Sequence, residues 1–234
     1  MYRCLSVVAL IAAASRLTAA QETVLIPSDR EANAQVAQIV ASAEAAGLPT
    51  NPIVGKVRFG VTVTRAKPSD IVAAARALAE RLELARTALE PNPSQPEIEA
   101  GANALAEKAT PKELKTVRRA SGNRSVVVPL SVLTQLLVSK VKLSRATEIV
   151  TDLIKRGATT PQLVALGNDV QEDVGVGRPA NVAVEDRARG LTAVLAAEPG
   201  LGGDKVTAAP ADINGAFLNA GQPKSGPPKP PKRP

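Results

Sequence analysis

The sequence contains no histidine and no tryptophan, and it has only one cysteine, one tyrosine and two phenylalanines. Without histidine, and with cysteine this scarce, the commonest nucleophile–base pairs of enzymes and nearly all zinc sites are excluded. The hydrophobic fraction of 44% is carried mainly by alanine, valine and leucine. Such a composition favours closely packed helices over a wide pocket lined by aromatic rings. We therefore expect a non-enzymatic helical protein without a cofactor.

Residues 1–20 have the pattern of a secretory signal peptide. Arg3 supplies the positive charge, an apolar stretch without charge follows over residues 5–14, and small residues precede Gln21. The apolar stretch is shorter than the roughly 20 residues of a membrane-spanning helix, so no transmembrane span is expected after cleavage. The only cysteine, Cys4, lies within this segment, so the mature chain is expected to form no disulfide. The sequence thus predicts a secreted or periplasmic protein.

A single all-α domain is predicted over residues 28–198, after a short linker at 21–27. Apolar residues at helical spacing and frequent start and stop signals indicate roughly eight short amphipathic helices in antiparallel hairpins. The clearest helix begins at Pro68 and runs to about Leu89. Further helix starts are expected at Ser28, Ser94, Thr110, Ser144, Thr160 and Pro179, and Pro129 is expected in the first turn of another helix.

Residues 50–65 fit two patterns. Ile53, Val57 and Val61 would share one face of a helix, whereas Val57 to Val63 also alternate with polar residues and glycine, as in a strand. A strand needs a pairing partner, and only the short runs 24–26 and 126–128 could provide one. We therefore predict a helix.

Three helix starts share an alanine followed closely by a proline, at Pro68, Pro111 and Pro161. Their spacing is close to that of a helical-hairpin repeat, so the domain could be a degenerate helical repeat. The alternative is that proline is simply suited to the first turn of a helix. None of the signature residues of tetratricopeptide, ankyrin or HEAT repeats occurs.

Asp169, Glu172 and Asp173 form the most concentrated acidic cluster. Carboxylates are ligands for hard cations such as Ca²⁺, but acids on one helix do not converge as a calcium-binding loop does. The cluster is the only candidate metal site, and the expectation is that it holds no metal.

The C-terminal residues 199–234 are rich in glycine and proline and are predicted to be a disordered basic tail. Residues 221–234 carry Lys224, Lys229, Lys232 and Arg233 and no acid, so the folded body is expected to be nearly neutral and to lack a basic face. Exposed cations on an extended chain suit anionic envelope polymers or a membrane surface. Specific nucleic-acid binding is not expected, because aromatic residues for base stacking are missing.

Three hypotheses about function follow from these patterns. The leading one is an exported, non-enzymatic helical protein of the cell envelope or extracellular space that offers its surface to a protein partner. The second is a binder of anionic envelope material that acts through the tail. The third, and the least favoured, is a hydrolase-type enzyme that uses carboxylates.

Overall fold

Every regular element in the described part of the chain is an α-helix. The structure is a computed structural model, and it describes residues 26–27 and 29–197. The described helices are α1 Arg30–Ala45, α2 Asn51–Thr62, α3 Pro68–Ala88, α4 Gln95–Ala106, α5 Pro111–Ser121, α6 Val127–Val138, α7 Leu143–Lys155, α8 Thr160–Gly175 and α9 Ala180–Ala197. The all-α prediction is confirmed. The predicted signal peptide and the predicted tail lie outside the described residues.

Local sequence signals account for most helix boundaries. Proline occupies the first or second position of α2, α3, α4, α5 and α8, where its missing N–H costs nothing. This wide use supports the view that proline is general helix-start chemistry here rather than the mark of a repeat unit. Glycines with positive φ follow the ends of four helices: Gly47, Gly122, Gly157 and Gly177.

Residues 50–65 form a helix, as predicted. Ile53 and Val57 are fully buried on one side of α2, whereas Phe59 and Val63 are exposed on another. In a strand, Val57, Phe59 and Val63 would lie on one face. Their different burial follows the helical period instead. Val126, a proposed strand partner, instead caps α6.

Three helix starts differ from the prediction by one or two residues. The N-cap of α1 is Asp29, whose carboxylate accepts a hydrogen bond from the N–H of Ala32 at 2.8 Å, whereas Ser28 lies outside the described residues. The capping box of α8 uses Thr159 rather than Thr160. In α7 the N-cap is Lys142, so Ser144 lies inside the first turn. A one-residue shift leaves the buried face unchanged, because neighbouring polar residues can cap the same turn.

The helices pack in two rows. The odd-numbered helices form one row, in which α3 contacts α1 and α5, and α7 contacts α5 and α9. In the other row α6 contacts α4 and α8, and α2 packs against α3. Asp29 lies beside Ser69 at one end of the α1–α3 contact, and Ala46 lies near Leu84 at the other. Helices in one row are therefore parallel here, and α2, between α1 and α3 in sequence, runs antiparallel to both.

The core lies between the rows. Its largest fully buried side chains are Ile53, Leu82, Leu89, Leu114, Leu130, Leu133, Leu136 and Leu153. Helical spacing predicts that Ala106 and Val182 face inward, but Ala106 is exposed and Val182 is 49% exposed. Ile26, within the predicted linker, is 3% exposed and is tied to α1 by two hydrogen bonds with the Asn33 side chain.

Gly101 sets the distance between α4 and its neighbours. A Cβ atom at this position would lie 2.9 Å from the Cβ of Ala85 and 3.2 Å from a methyl group of Leu114. Both distances are shorter than ordinary van der Waals contacts. Glycine is therefore required for α4 to approach α3 and α5 this closely.

A buried carboxylate joins three helices. Glu97 in α4 accepts hydrogen bonds from the N–H of Ser94 at 2.9 Å and from the N–H of Val126 at 3.1 Å, and its side chain is paired with Arg118 of α5 at 3.2 Å. Burial alone would raise the pKa of Glu97. The hydrogen bonds from Ser94 and Val126, together with the charge of Arg118, outweigh burial and hold the pKa below its ordinary value.

We predict that Glu97→Gln destabilises the fold by about 2 kcal/mol, because an amide would turn its NH₂ group toward buried N–H donors. Since the folded pKa lies below the ordinary 4.5, the carboxylate stabilises above that pH and this contribution is lost as the pH falls through the folded value. The difference in free energy of unfolding between wild type and Glu97→Gln, measured by urea unfolding, should therefore be smaller at pH 3 than at pH 7. Glu99→Gln is the matched control, since burial raises the pKa of Glu99 and removing that charge costs nothing. Equal destabilisation by both substitutions would contradict the stabilising role assigned to the Glu97 carboxylate.

Candidate interaction surface

An open groove runs along the outer side of the contact between α1 and α3. It consists of two adjoining cavities of about 510 and 790 Å³, which share Gln35, Arg76 and Glu80. At 1.5 Å per residue, the α1 segment from Asp29 to Ala46 makes it roughly 25 Å long. The groove exists because alanines face each other across much of it and do not fill the space between the helix axes.

The floor of the larger cavity is apolar and its rim is polar. Ile39, Leu48 and Leu84 are the largest apolar residues that line it, and Leu84 is 50% exposed. On the rim, Arg76 and Glu80 form no ion pair with the described residues. An apolar floor between unpaired charges of both signs suits an amphipathic segment of another protein.

Arg86 links α3 to the C-terminal end of α1. Its guanidinium donates hydrogen bonds to the carbonyl of Ala46 at 3.3 Å and to the carboxylate of Glu83 at 2.6 Å. The hydrogen bond with Glu83 is the main reason that the pKa of Arg86 is raised. This contact fixes the register of α1 on α3.

A second groove, of about 510 Å³, lies between α7 and α9 and is lined by charged side chains. Arg145 is paired with Glu185 across it, and with Glu148 at 2.7 Å within α7. The pKa of Glu185 is lowered chiefly by its hydrogen bond from Arg145. Glu185 and Arg189 are four residues apart on α9, a spacing that favours an interaction. The charge of Arg189 helps to lower the pKa of Glu185, whereas the ion pair of Arg189 is with Asp186 at 3.8 Å. Since most of the charges here are already paired, this groove is less suited to binding than the first.

The folded body carries a basic face on α5, contrary to prediction. Lys112, Lys115 and Arg119 are exposed and share one side of the helix, opposite the buried Leu114 and Val117. None of the three forms an ion pair with a described residue. We call these three side chains the basic face.

A sequence signal for the basic face exists but is hidden in the average composition. No acidic residue occurs between Glu113 and Glu148, a stretch that contains seven lysines and arginines. Because acidic residues on either side of this stretch cancel the charge overall, the body appeared nearly neutral. Local charge counting would have revealed the face.

The acidic cluster on α8 is occupied by arginines. Asp173 accepts hydrogen bonds from Arg187 at 2.9 Å through both oxygens and from Arg178 at 2.9 Å, and Asp169 accepts one from Arg187 at 3.3 Å. The hydrogen bond from Arg187 is the main reason that the pKa of Asp173 is lowered. Glu172, the third predicted candidate, is exposed and forms no hydrogen bond in this network, although its charge contributes to the raised pKa of Arg187. Among the described residues, no three histidine, cysteine, aspartate or glutamate side chains are grouped so that they could hold a metal.

The predicted binding residues of the tail, Lys224, Lys229, Lys232 and Arg233, lie outside the described residues. Within the described ranges, no helix has the length and apolar character needed to cross a membrane.

Comparison with known proteins gives no match: no protein-family model, no curated protein and no solved structure is similar to this chain.

We predict that Asp173→Asn lowers the melting temperature, because two guanidinium groups lose the carboxylate that links α8 to α9. Since the pKa of Asp173 is lowered in the folded state, its carboxylate stabilises the fold at pH values above the ordinary carboxyl pKa. This stabilisation is lost as the pH falls through the pKa of the folded state. The difference in melting temperature between wild type and Asp173→Asn, measured by circular dichroism, should therefore be smaller at pH 3 than at pH 7.

Glu172→Gln is the control for this prediction and should leave the melting temperature unchanged. Addition of Ca²⁺ should also have no effect on the wild type, because a ligand that binds the native state would raise its melting temperature. A rise with Ca²⁺ that is abolished by Asp173→Asn would mean that the cluster is a cation site.

Proposed function

We propose that this chain is an exported, non-enzymatic helical protein that binds a protein partner, and that the groove between α1 and α3 receives an amphipathic helix of that partner. The supporting observation is the groove itself, with its half-exposed Leu84 on an apolar floor and unpaired Arg76 and Glu80 on the rim. A helix of about 16 residues matches the length of the groove. Its apolar side chains at helical spacing would contact the floor, and its charged residues would face the rim.

A protein partner explains this groove better than a small molecule does. Small-molecule sites enclose their ligand and present a few convergent polar groups, whereas this groove is long and open, and its larger cavity is mainly apolar. The lack of the commonest catalytic side chains argues in the same direction, since the sequence has no histidine and its single cysteine lies in the predicted signal peptide. Export is supported by the pattern of residues 1–20.

We predict that Leu84→Asp weakens partner binding by about 2 kcal/mol or more, which is roughly thirtyfold, because it places a charge on the apolar floor. A photo-crosslinking residue placed at position 84 in the living source cell should identify the partner, and calorimetry with the purified pair should then give the affinity. The matched control is Val164→Asp on α8, which changes another partly exposed apolar residue outside the groove.

Equal loss of affinity in both variants would contradict the groove as the binding site. Crosslinks formed at position 164 but not at 84 would do the same. Recovery of the intact chain, with residues 1–20, only from the cytosol would overturn export while leaving the groove open to test.

The second candidate function is binding of anionic envelope material through the tail. Its support is the run of four cations and no acid in residues 221–234. Such a tail gains affinity for polyanions and anionic membranes through its charge alone.

Deletion of residues 221–234 separates the two candidates. The tail hypothesis predicts that envelope association is lost on deletion, and also when Lys224, Lys229, Lys232 and Arg233 are all replaced by glutamine at constant length. The association is measured by fractionating the source cells and by its dependence on salt. Association that persists in both variants would exclude the tail, whereas the groove hypothesis expects partner binding to be unchanged.

A further inference from the structure

We propose that the basic face on α5 is a docking surface for a linear anionic polysaccharide. This site is separate from the α1–α3 groove and from the tail. The proposal is carried by the position, exposure and pairing of the cations in the folded body.

The three side chains form one row along the helix. Lys112, Lys115 and Arg119 follow each other at three and four residues, so their Cα atoms are separated by about 4.5 and 6 Å along the axis. All three are exposed. A row of regularly spaced positive charges matches a linear polymer with repeated negative charges better than it matches a compact anion.

The nearby acids are already engaged elsewhere. Glu113, on the same helix, accepts hydrogen bonds from the N–H and hydroxyl of Thr110 in the capping box. On the neighbouring α7, Asp152 is paired with Arg156 at 2.6 Å and Glu148 with Arg145 at 2.7 Å. The basic face therefore keeps its charge.

Two other arginines, Arg118 and Arg124, form contacts within the fold and therefore do not belong to the basic face. Arg118 is paired with the buried Glu97 at 3.2 Å. Arg124 donates a hydrogen bond to the carbonyl of Ile154 at 2.9 Å, which brings the end of α5 beside the last turn of α7.

The surroundings of the row favour a polysaccharide over a single-stranded nucleic acid and over insertion into a membrane. Binding of single-stranded nucleic acid uses aromatic side chains on which bases stack, and the only aromatic side chain among the described residues is Phe59, on α2. Insertion into a membrane uses large apolar side chains beside the cations, and the exposed side of α5 has none. Charge complementarity without stacking or insertion is what a carboxylated or sulfated polysaccharide requires.

The test uses the full chain and heparin of defined length as the probe. We expect the triple variant Lys112→Gln, Lys115→Gln and Arg119→Gln to bind heparin at least about tenfold more weakly at moderate salt, with the slope of log K against log salt reduced by about two. The control triple variant Arg30→Gln, Lys56→Gln and Lys67→Gln has the same change in net charge at exposed sites distant from α5. It should lose less than about twofold, and Lys112→Arg with Lys115→Arg should keep full affinity.

Equal losses in the two triple variants would overturn the proposal, because net charge alone would then explain binding. An unchanged affinity in the α5 variant would also overturn it, since the tail or another surface would then carry the binding. Binding of the wild type to phosphatidylglycerol vesicles but not to heparin would assign the face to a lipid surface and reject a polysaccharide. Circular dichroism of each variant verifies that it is folded.

Discussion

The helices of this chain can bury a core only by approaching one another closely, because aromatic residues make up 1% of the sequence. Small side chains permit that approach, and Gly101 against Ala85 is the tightest example on the α3–α4 contact. Close approach on two sides of a helix leads to rows, in which most helices contact the next but one in sequence. The grooves on the outer side follow from the same cause, since alanines that fit between closely packed helices leave space where two helices diverge.

Charge in the folded body is divided between structure and surface. Arg118, Arg145 and Arg187 are bound to carboxylates, and in each case the pairing joins two helices. A buried carboxylate such as Glu97 is tolerated because backbone N–H groups and a guanidinium together replace water around it. Lysines are absent from these networks, in keeping with the planar, multidentate hydrogen bonding that only arginine offers. The exposed lysines of α5 therefore remain free for contacts outside the fold.

Periodicity and helix-start chemistry were sufficient to predict the fold class and the existence of each helix, including α2, where local preference favoured a strand. They worked because burial requires one apolar stripe per helix, which the sequence displays directly. Exact caps at Asp29 and Lys142 were not predictable, since several polar residues next to a helix start can serve. The α1–α3 groove and the pairing of Arg145 with Glu185 join residues some 40 positions apart, so only the tertiary structure reveals them. The basic face was missed for a different reason, because composition averaged over the body conceals a local run without acids.

The position of α1 at one end of its row has a consequence for how the molecule moves. Apart from the tie between Asn33 and Ile26, α1 is held mainly by α3 and by the hydrogen bond from Arg86 to Ala46, whereas a central helix such as α6 contacts four others. In such arrays a terminal element opens at lower free energy than the interior does, so we expect the amide hydrogens of α1 to exchange before those of α6. One wall of the α1–α3 groove is thus the part of the row most free to adjust its width. A segment bound there would pack against α1 as an additional neighbour. Binding of the segment and the local folding of α1 would therefore be coupled in one equilibrium.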